Sequence, residues 1–543
     1  MFAVGDANTS AALVGAHEEA VDAALTYVER EACRVRRGRG GRIELAADGF
    51  VAAAYRHRMS RAGQPQLHKQ VVAANLAHGS DGRWSALHGY PIFQHAKAAG
   101  SLYQAHLRAA VHERLPWARW GEVHNGMAEL EGMPTGVLAH FSRRRAQIVE
   151  WLDTEDRSGR QSAEKAALAT RAPKAEPVPL APWRDRVRAE AAEHGLGHAE
   201  IAALTRSVDR QPARRVDVER LGAVLAGPDG LTAQRNSFAA RHAVVELAAA
   251  HRDGAQVGDV ERLAGAFLRR DDVVAIPSPS GEPRHTTAGL LACERRLVAD
   301  AMRGRRSGTG TVSDESVDRS LTALAKPLSD EQRAAVRAIA TSGNAVDVVE
   351  ALAGTGKTTV AGALAAVYHE AGYRVVGAAP TGRAARELSS RSGVPASTLH
   401  GLVEYLRRSE GFGRDPAVLL IDEAGMAPTR ISAQVLAAAG WDGVKVVALG
   451  DSGQLSSVEA GDGSGRFRSG SAHPSCARWS ASATPRSAMP WPSSTTATRT
   501  GGSRSSMDGE SWWFTTAARR RPMRRPWPPG GPTSNRWASS TRS

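Results

Sequence analysis

The sequence predicts an α/β chain: a mixed α+β region, a helical connector, one parallel sheet wrapped by helices, and a tail with little to bury. Three observations carry this. From residue 328 onward, the apolar runs AVDVVE (345–350), RVVGAA (374–379), AVLLID (417–422) and VKVVALGD (444–451) alternate with helical patterns. Each ends in small, polar or charged residues, as strands of a parallel sheet do when their functional loops sit at the carboxyl ends. The stretch VVEALAGTGKTTVAG (348–362) sets a loop of small residues between the first of these strands and a helix. Residues 463–543, by contrast, contain no Leu, Ile or Val but six Trp, nine Pro and seventeen Ser.

At 543 residues and 42% apolar content the chain can bury several cores. It has no run of eighteen apolar residues, and its first thirty residues are too acidic and interrupted for a secretory signal. A cytoplasmic protein without membrane insertion is the expectation. Cys33, Cys293 and Cys476 stand apart with no CxxC pair, which excludes a disulfide framework and a thiolate zinc site. The net charge of +14 is concentrated in residues 463–543, where thirteen Arg face two acids. The preceding residues carry only +3, so a nucleic-acid partner must be argued from local patches.

Taken in order, residues 1–152 mix helical and extended patterns. Asp81 and Gly82 form a hairpin turn between two strand-like runs, and an amphipathic helix with a basic face is expected over 137–152. RAPKAEPVPLAPW (171–183), with four prolines, marks a linker over 153–183. Residues 184–302 carry Ala, Leu, Glu and Arg at helical spacing, with a small extended insert near 272–277. RGRRSGTGTVSDES (303–316) marks a second linker over 303–325, and the sheet domain occupies 326–462.

ALAGTGKT (351–358) matches the phosphate-loop pattern GxxxxGKT, with Ala351 where the first glycine belongs. Gly354, Thr355 and Gly356 would turn backbone N–H groups around phosphate oxygens at a helix N-terminus, with Thr359 in the helix's first turn. Lys357 would meet the β- and γ-phosphates of ATP, and Thr358 would hold Mg2+. In LLIDEAGM, Asp422 is the second Mg2+ residue and Glu423 polarises the attacking water. The alternatives are an ordinary Gly-rich turn and a solvated acidic loop. RVRRGRGGR (34–42) interleaves five arginines, Arg36 and Arg37 among them, with glycines, and reads as a phosphate-gripping patch or a solvated basic loop.

LSDEQRAAV, APTGRAARELSSRSGVPASTLHGLV and VVALGDSGQLSSVEAG flank these motifs, and together they resemble superfamily 1 DNA helicases of the RecD-like type. The resemblance implies a RecA-like domain in which Gln332 reads the adenine edge and Thr381 and Arg383 contact single-stranded DNA. Asp451 and Gln454 would sense the γ-phosphate, with Gln454 joining Lys357, Asp422 and Glu423 in catalysis. A small-molecule kinase is the competing reading, and GDSGQL, unneeded for kinase chemistry, argues against it.

YRHRMSRAGQPQLHKQVVAANL, with ACRVRRGRGG, DGRWSAL and FSRRRAQI, resembles the metal-site region of conjugative relaxases of the MobF (TraI or TrwC-like) type. The resemblance implies single-stranded DNA at a plasmid origin of transfer and conjugation accessory proteins as partners. It also implies a divalent metal held by three histidines. His57 and His68 match two of them; strand periodicity puts the third at Gln70, whose amide is a poorer ligand for transition metals. The tyrosines present match none of the family's nucleophile positions, so the expectation is a partial relaxase domain without covalent nicking. After residue 462 the helicase pattern stops, and the expectation is a reading-frame shift and a disordered basic tail, the rival being a tail that binds nucleic acid through Arg and Trp. Two functions follow: an ATP-driven helicase and relaxase homologue of plasmid transfer, or a non-catalytic remnant binding ATP and DNA.

Overall fold

The computed structural model describes residues 1–154, 160–170, 178–206, 213–278, 282–351, 356–450 and 477–479. These divide into two units. The first takes residues 1–218 and 241–266, the second residues 219–240 and those described from 267 onward.

In the first unit, α1 (Ala7–Ala32) begins where Asp6 accepts the Thr9 N–H at 2.7 Å. Three antiparallel strand pairs follow: β1 (Arg34–Arg37) with β2 (Ile43–Ala46), β3 (Ala52–Met59) with β4 (Pro65–Ala73), and β5 (Ala77–His78) with β6 (Trp84–Ser85). The last of these is the hairpin expected around Asp81 and Gly82. Next comes α2 (Gly89–Arg114), which packs against α1 through small residues such as Ala16 and Ala110. Polar side chains along this seam hydrogen-bond to one another. Tyr103 Oη lies 2.8 Å from His17 Nδ1, Tyr27 Oη lies 2.8 Å from His95 Nδ1, and His106 meets Glu19 at 2.9 Å.

The helix expected over 137–152 is two, α3 (Thr135–Phe141) and α4 (Arg143–Thr154). After α5 (Arg160–Ala169) come α6 (Leu180–Glu193) and α7 (His198–Arg206). Trp183, placed by its prolines in a linker, is instead a core residue only 1% exposed, packed with Ala3, Val4, Val187 and Leu196. Its indole N–H donates to the Gly63 carbonyl at 2.9 Å. Pro179 and Pro182 misled because they occupy the start of α6, where a missing N–H costs nothing. The region 184–302 is likewise not one connector. α8 (Val218–Ala226) leads into the second unit, while α9 (Ala240–Ala250) and most of α10 (Val257–Leu268) belong to the first.

In the second unit, β7 (Val273–Ile276) and β8 (Arg284–Thr287) form the expected extended insert, and Thr287 caps α11 (Ala288–Arg303). Residues 303–325, expected as a linker, are part of this fold. Within them Val312 and, on α12 (Asp314–Ala323), Val317 and Leu321 enter the core. Gly310, at φ +61°, lets the backbone lie directly on the aliphatic stem of Lys445, where a Cβ would stand 2.5 Å from Cδ. Lys445 is wholly buried, with Nζ 2.8 Å from Asp347 Oδ2 and 2.8 Å from the Asn344 carbonyl. The glycines that suggested flexibility therefore seal a buried ion pair.

α13 (Asp330–Thr341) precedes β9 (Val346–Ala351) and α14 (Lys357–Glu370). The chain then alternates β10 (Arg374–Ala379), α15 (Gly382–Ser392), β11 (Ala396–Thr398), α16 (Leu399–Arg408), β12 (Ala417–Ile421), α17 (Thr429–Trp441) and β13 (Lys445–Gly450). All strands of this sheet pair in parallel, in the order β11-β10-β12-β13-β9-β14. The four predicted strands are thus present, and the short β11 adds a fifth that its three residues did not advertise. β14 (Ala477–Trp479), the one described piece of the tail, pairs in parallel with β9. Separate cores fill the two faces, one around Val336, Leu364 and Val447, the other around Leu402, Leu419 and Leu436. No helix among the described residues is long and apolar enough to cross a membrane.

Candidate functional site

In the second unit, the predicted chemistry gathers at the carboxyl ends of the strands. β9 runs toward α14, whose N-cap is Gly356 at φ +97°, a left-handed conformation that glycine adopts without strain. Lys357, Thr358 and Thr359 form the first helical turn and are half-buried. A helix N-terminus at the end of a parallel strand suits an anion. Gly354, Thr355, Asp451 and Gln454 lie outside the described residues.

β12 delivers the acidic pair. Asp422 donates its N–H to the Ala378 carbonyl at 2.9 Å, and its carboxylate accepts the Glu423 N–H at 2.9 Å. Glu423 sits at φ +49°, ψ +40°, a left-handed backbone that costs a non-glycine residue about 1 kcal/mol or more and turns its side chain sharply off the strand axis. Burial pushes both carboxyls above the usual range, while the nearby Lys357 ammonium draws both back. Glu387 raises both, and Arg383 lowers Glu423. Lys357, Asp422 and Glu423 therefore share one electrostatic neighbourhood. Hard oxygens from Thr358 and Asp422 are the donor type Mg2+ prefers, and a carboxylate destabilised by burial is one a cation would hold ionised.

Three further candidate residues, Thr381, Arg383 and Gln332, lie in helix first turns or caps. Thr381 caps α15 by accepting the Ala384 N–H at 3.2 Å, directly after β10, and both Thr381 and Arg383 are exposed. Gln332 lies in the first turn of α13 within a capping box with Ser329, and its amide nitrogen abuts Gly356. The S-x-x-Q signal of that box stands in the sequence as SDEQ, yet Ser329 had been assigned no role.

In the first unit, His57 and His68 are direct cross-strand partners on the β3–β4 ribbon, with rings 5.1 Å apart and 19° from parallel. Gln70 and its partner Tyr55 occupy the next position on the same face. Among the described residues no group of three or more His, Cys, Asp or Glu comes together as a metal site. The ribbon offers two imidazoles and one amide, a weaker set than three imidazoles.

The basic patch divides. Arg36, Arg39 and Arg42 are exposed on the β1–β2 hairpin. Arg37 is corrected to a structural role: its guanidinium holds Asp81 through two hydrogen bonds at 2.6 and 2.8 Å and reaches Ser85 Oγ at 2.7 Å. That clamp lowers the Asp81 carboxyl to about 2. Arg34 likewise donates to the Arg30 and Cys33 carbonyls. Tyr27, which is buried, and Tyr103, which is half-buried, hydrogen-bond to histidines, and desolvation pushes the Tyr103 hydroxyl up to about 12.

The second unit holds a parallel sheet of the P-loop type, and the first an α+β arrangement of helices and short antiparallel ribbons. Residues 1–194 match the family model for the TrwC relaxase, and residues 327–474 match that for an AAA domain. The chain thus carries a TrwC relaxase domain followed by an AAA domain, the domains found in conjugative transfer proteins. It is 32% identical over 196 residues to a probable conjugal transfer protein TraA of Sinorhizobium fredii, covering 36% of this chain and 17% of that protein. It is 37% identical over 142 residues to the ATP-dependent RecD2 DNA helicase of Deinococcus radiodurans, covering 25% of this chain and 19% of that one. Among solved structures, the conjugative relaxase TrwC in complex with oriT DNA shares 27% identity at a TM-score of 0.32, covering 34% of this chain and 66% of that chain. The chain spans less than a fifth of the length of these curated relatives.

Proposed function

We propose that this chain is an ATP-binding DNA helicase and relaxase homologue of plasmid conjugative transfer, in which ATP hydrolysis drives movement along single-stranded DNA. The observation that carries this reading is that Lys357, at the glycine-capped start of α14, lies within electrostatic reach of Asp422 and Glu423, at the end of β12. Lys357 binds the terminal phosphates, Thr358 and Asp422 hold Mg2+, and Glu423 orients and deprotonates the attacking water. Mg2+, when bound, neutralises charge building on the phosphate oxygens. Gln454 and Asp451 are assigned to sensing the γ-phosphate, on the strength of their motif alone. Thr381 and Arg383, exposed at the capped end of α15, support a phosphodiester track beside the nucleotide. Arg36 adds a salt-dependent grip in the relaxase domain.

The relaxase domain on this reading holds DNA without cutting it. Tyr27 and Tyr103 are hydrogen-bonded to His95 and His17, and Gln70 stands beside the His57–His68 pair where a third imidazole is expected. A second reading, a remnant that binds ATP and DNA without unwinding, is favoured by the composition of residues 463–543, which lack every aliphatic a further helicase domain would bury. One measurement separates the two: ATP turnover of the full chain with and without single-stranded DNA. The motor reading expects turnover to rise at least severalfold with DNA, while turnover indifferent to DNA leaves the remnant.

A further inference from the structure

Glu423 holds a left-handed backbone, φ +49° and ψ +40°, which a residue other than glycine keeps only when its surroundings impose it. Upstream, β12 is paired in the sheet, and the Asp422 N–H donates to the Ala378 carbonyl of β10 at 2.9 Å. Downstream, the path to α17 has no slack. The Glu423 carbonyl accepts the Met426 N–H at 2.8 Å, and the Ala424 carbonyl accepts the Ala427 N–H at 3.2 Å. Ala424, Ala427 and Thr429 are each at most 1% exposed. Then comes Arg430, in the first turn of α17. Its guanidinium reaches back to a residue 198 positions earlier in the chain, donating to the Thr232 carbonyl at 2.7 Å and to Thr232 Oγ1 at 2.9 Å. Thr232 is wholly buried in the loop after α8, and its hydroxyl oxygen lies 3.2 Å from that of Thr287, the cap of α11. α11 in turn contributes Leu297 and Ala301 to the core that Ala424 and Ala427 enter. Both ends of the Glu423 turn are therefore fixed, one by the sheet and the other by Arg430.

We propose that Arg430 is a positioning residue for ATP hydrolysis, tying the Glu423 turn to Thr232 so that the Glu423 carboxylate keeps its place at the end of β12. The inference rests on the nucleotide-binding reading above and adds to it a residue outside the phosphate-binding and acidic motifs. A guanidinium suits the task. Its planar fork of N–H groups meets the carbonyl and the hydroxyl of one residue together, which fixes direction as well as distance, whereas a lysine ammonium acts as a point. Released at one end, a left-handed residue relaxes toward the ordinary right-handed region, and its side chain swings with it. Nucleotide affinity is set elsewhere, by Lys357 and the N-terminus of α14, so loss of the Arg430 anchor acts on the rate and spares binding. An Arg430 that only supported the fold would change the melting midpoint and leave the turnover of the folded protein as it was.

The test is steady-state ATP turnover of the full chain with Mg2+, beside titration of a fluorescent ATP analogue and a melting curve, for the wild type, Arg430→Ala, Glu423→Gln and the double variant. Arg430→Ala should lower kcat about tenfold or more, as misplacement of a reacting group does, while affinity for the analogue stays within about twofold. Because Arg430 acts through Glu423, adding Arg430→Ala to Glu423→Gln should slow turnover by no more than about twofold further. Thr232→Val, which removes the hydroxyl at nearly constant size, should lower kcat about threefold, and Thr232→Ser should keep the wild-type rate. That pair carries the test if Arg430→Ala does not fold. An unchanged kcat in Arg430→Ala, an equal loss of rate and affinity, losses that multiply in the double variant, or a wild-type rate in Thr232→Val overturns the proposal. Each of these, with a wild type that turns over ATP, sinks the positioning role alone. A wild type without turnover removes the hydrolysis reading and the proposal together.

Discussion

The two units place their functional side chains by opposite means. In the P-loop unit, Lys357, Thr381 and Asp422 stand at the ends of helices and strands, where backbone geometry fixes them. In the relaxase unit, His57, His68 and Gln70 stand in mid-strand on a two-stranded ribbon, and Arg37, which looked like a DNA contact, is committed to Asp81. A site built on element termini is written in local spacing. A site built on exposed faces depends on which side chains distant segments engage, and local spacing does not reveal that.

Each prediction below strains one side of this contrast. The largest effect is expected at Asp422. Replacing it with Asn should lower Mg2+-dependent ATP turnover at least a hundredfold, on the scale seen when a group stabilising transition-state charge is removed. The fold should not suffer. Because burial raises this carboxyl, the folded state favours the neutral form, and the charge costs stability at pH above the unfolded value of 3.8. Asp422→Asn should therefore raise the unfolding midpoint of the nucleotide-free protein slightly at pH 7, measured by differential scanning calorimetry. A lower midpoint would mean the carboxylate is a structural ion-pair member instead.

In the relaxase unit, loss of packing should dominate. Trp183→Ala removes a buried indole and its bond to Gly63, and should cost about 3–5 kcal/mol in urea unfolding of that unit. ATP binding by the other unit should persist. If Trp183→Ala is neutral, the residues around it were correctly read as a linker.

The helix seam of the same unit supplies a pH test. Burial lowers His17 and His95 to about 4, from 6.5 when unfolded. A histidine lowered on folding stabilises only while neutral. Its contribution is complete above 6.5 and is lost as pH falls toward 4, at most about 3 kcal/mol per ring. Circular dichroism melts from pH 8 to pH 4 should show an acid-labile transition that His95→Gln displaces to lower pH. Equal midpoints at pH 7 and pH 4.5 would contradict the buried neutral rings.

The smallest effect separates neighbouring arginines. Arg36→Ala should weaken single-stranded DNA binding a fewfold and reduce the salt slope of the affinity by about one, without changing the melt. Arg37→Ala should lower the melting midpoint at any DNA concentration, because it frees Asp81 and the β5–β6 turn. Identical behaviour of the two variants would erase the distinction drawn from their contacts.

Legibility in the sequence followed the same line. The strands β9, β10, β12 and β13 and the residues at their ends were readable, because buried parallel strands are continuous apolar runs closed by glycine, threonine or acid. Residues 178–183 and 303–316 are part of the folded units although their composition reads as linker, because composition speaks of the chain in isolation. Pro182 is harmless in the first turn of α6, and Gly310 is needed where backbone crosses the stem of Lys445. The Lys445–Asp347 pair, 98 residues apart, and Arg108, buried against the carbonyls of Gly126, Ala248 and His251, left no local trace. Ser329 did leave one, in the S-x-x-Q spacing of the capping box that opens α13.

The central claim is that Lys357 and the acidic pair of β12 form one nucleotide site. The most direct measurement is equilibrium titration of a fluorescent ATP analogue with Mg2+ into the full chain and into Lys357→Ala. Saturable binding by the native chain, weakened at least tenfold in the variant at an unchanged melting midpoint, is the result expected. Equal binding by both, or none by either, would contradict it.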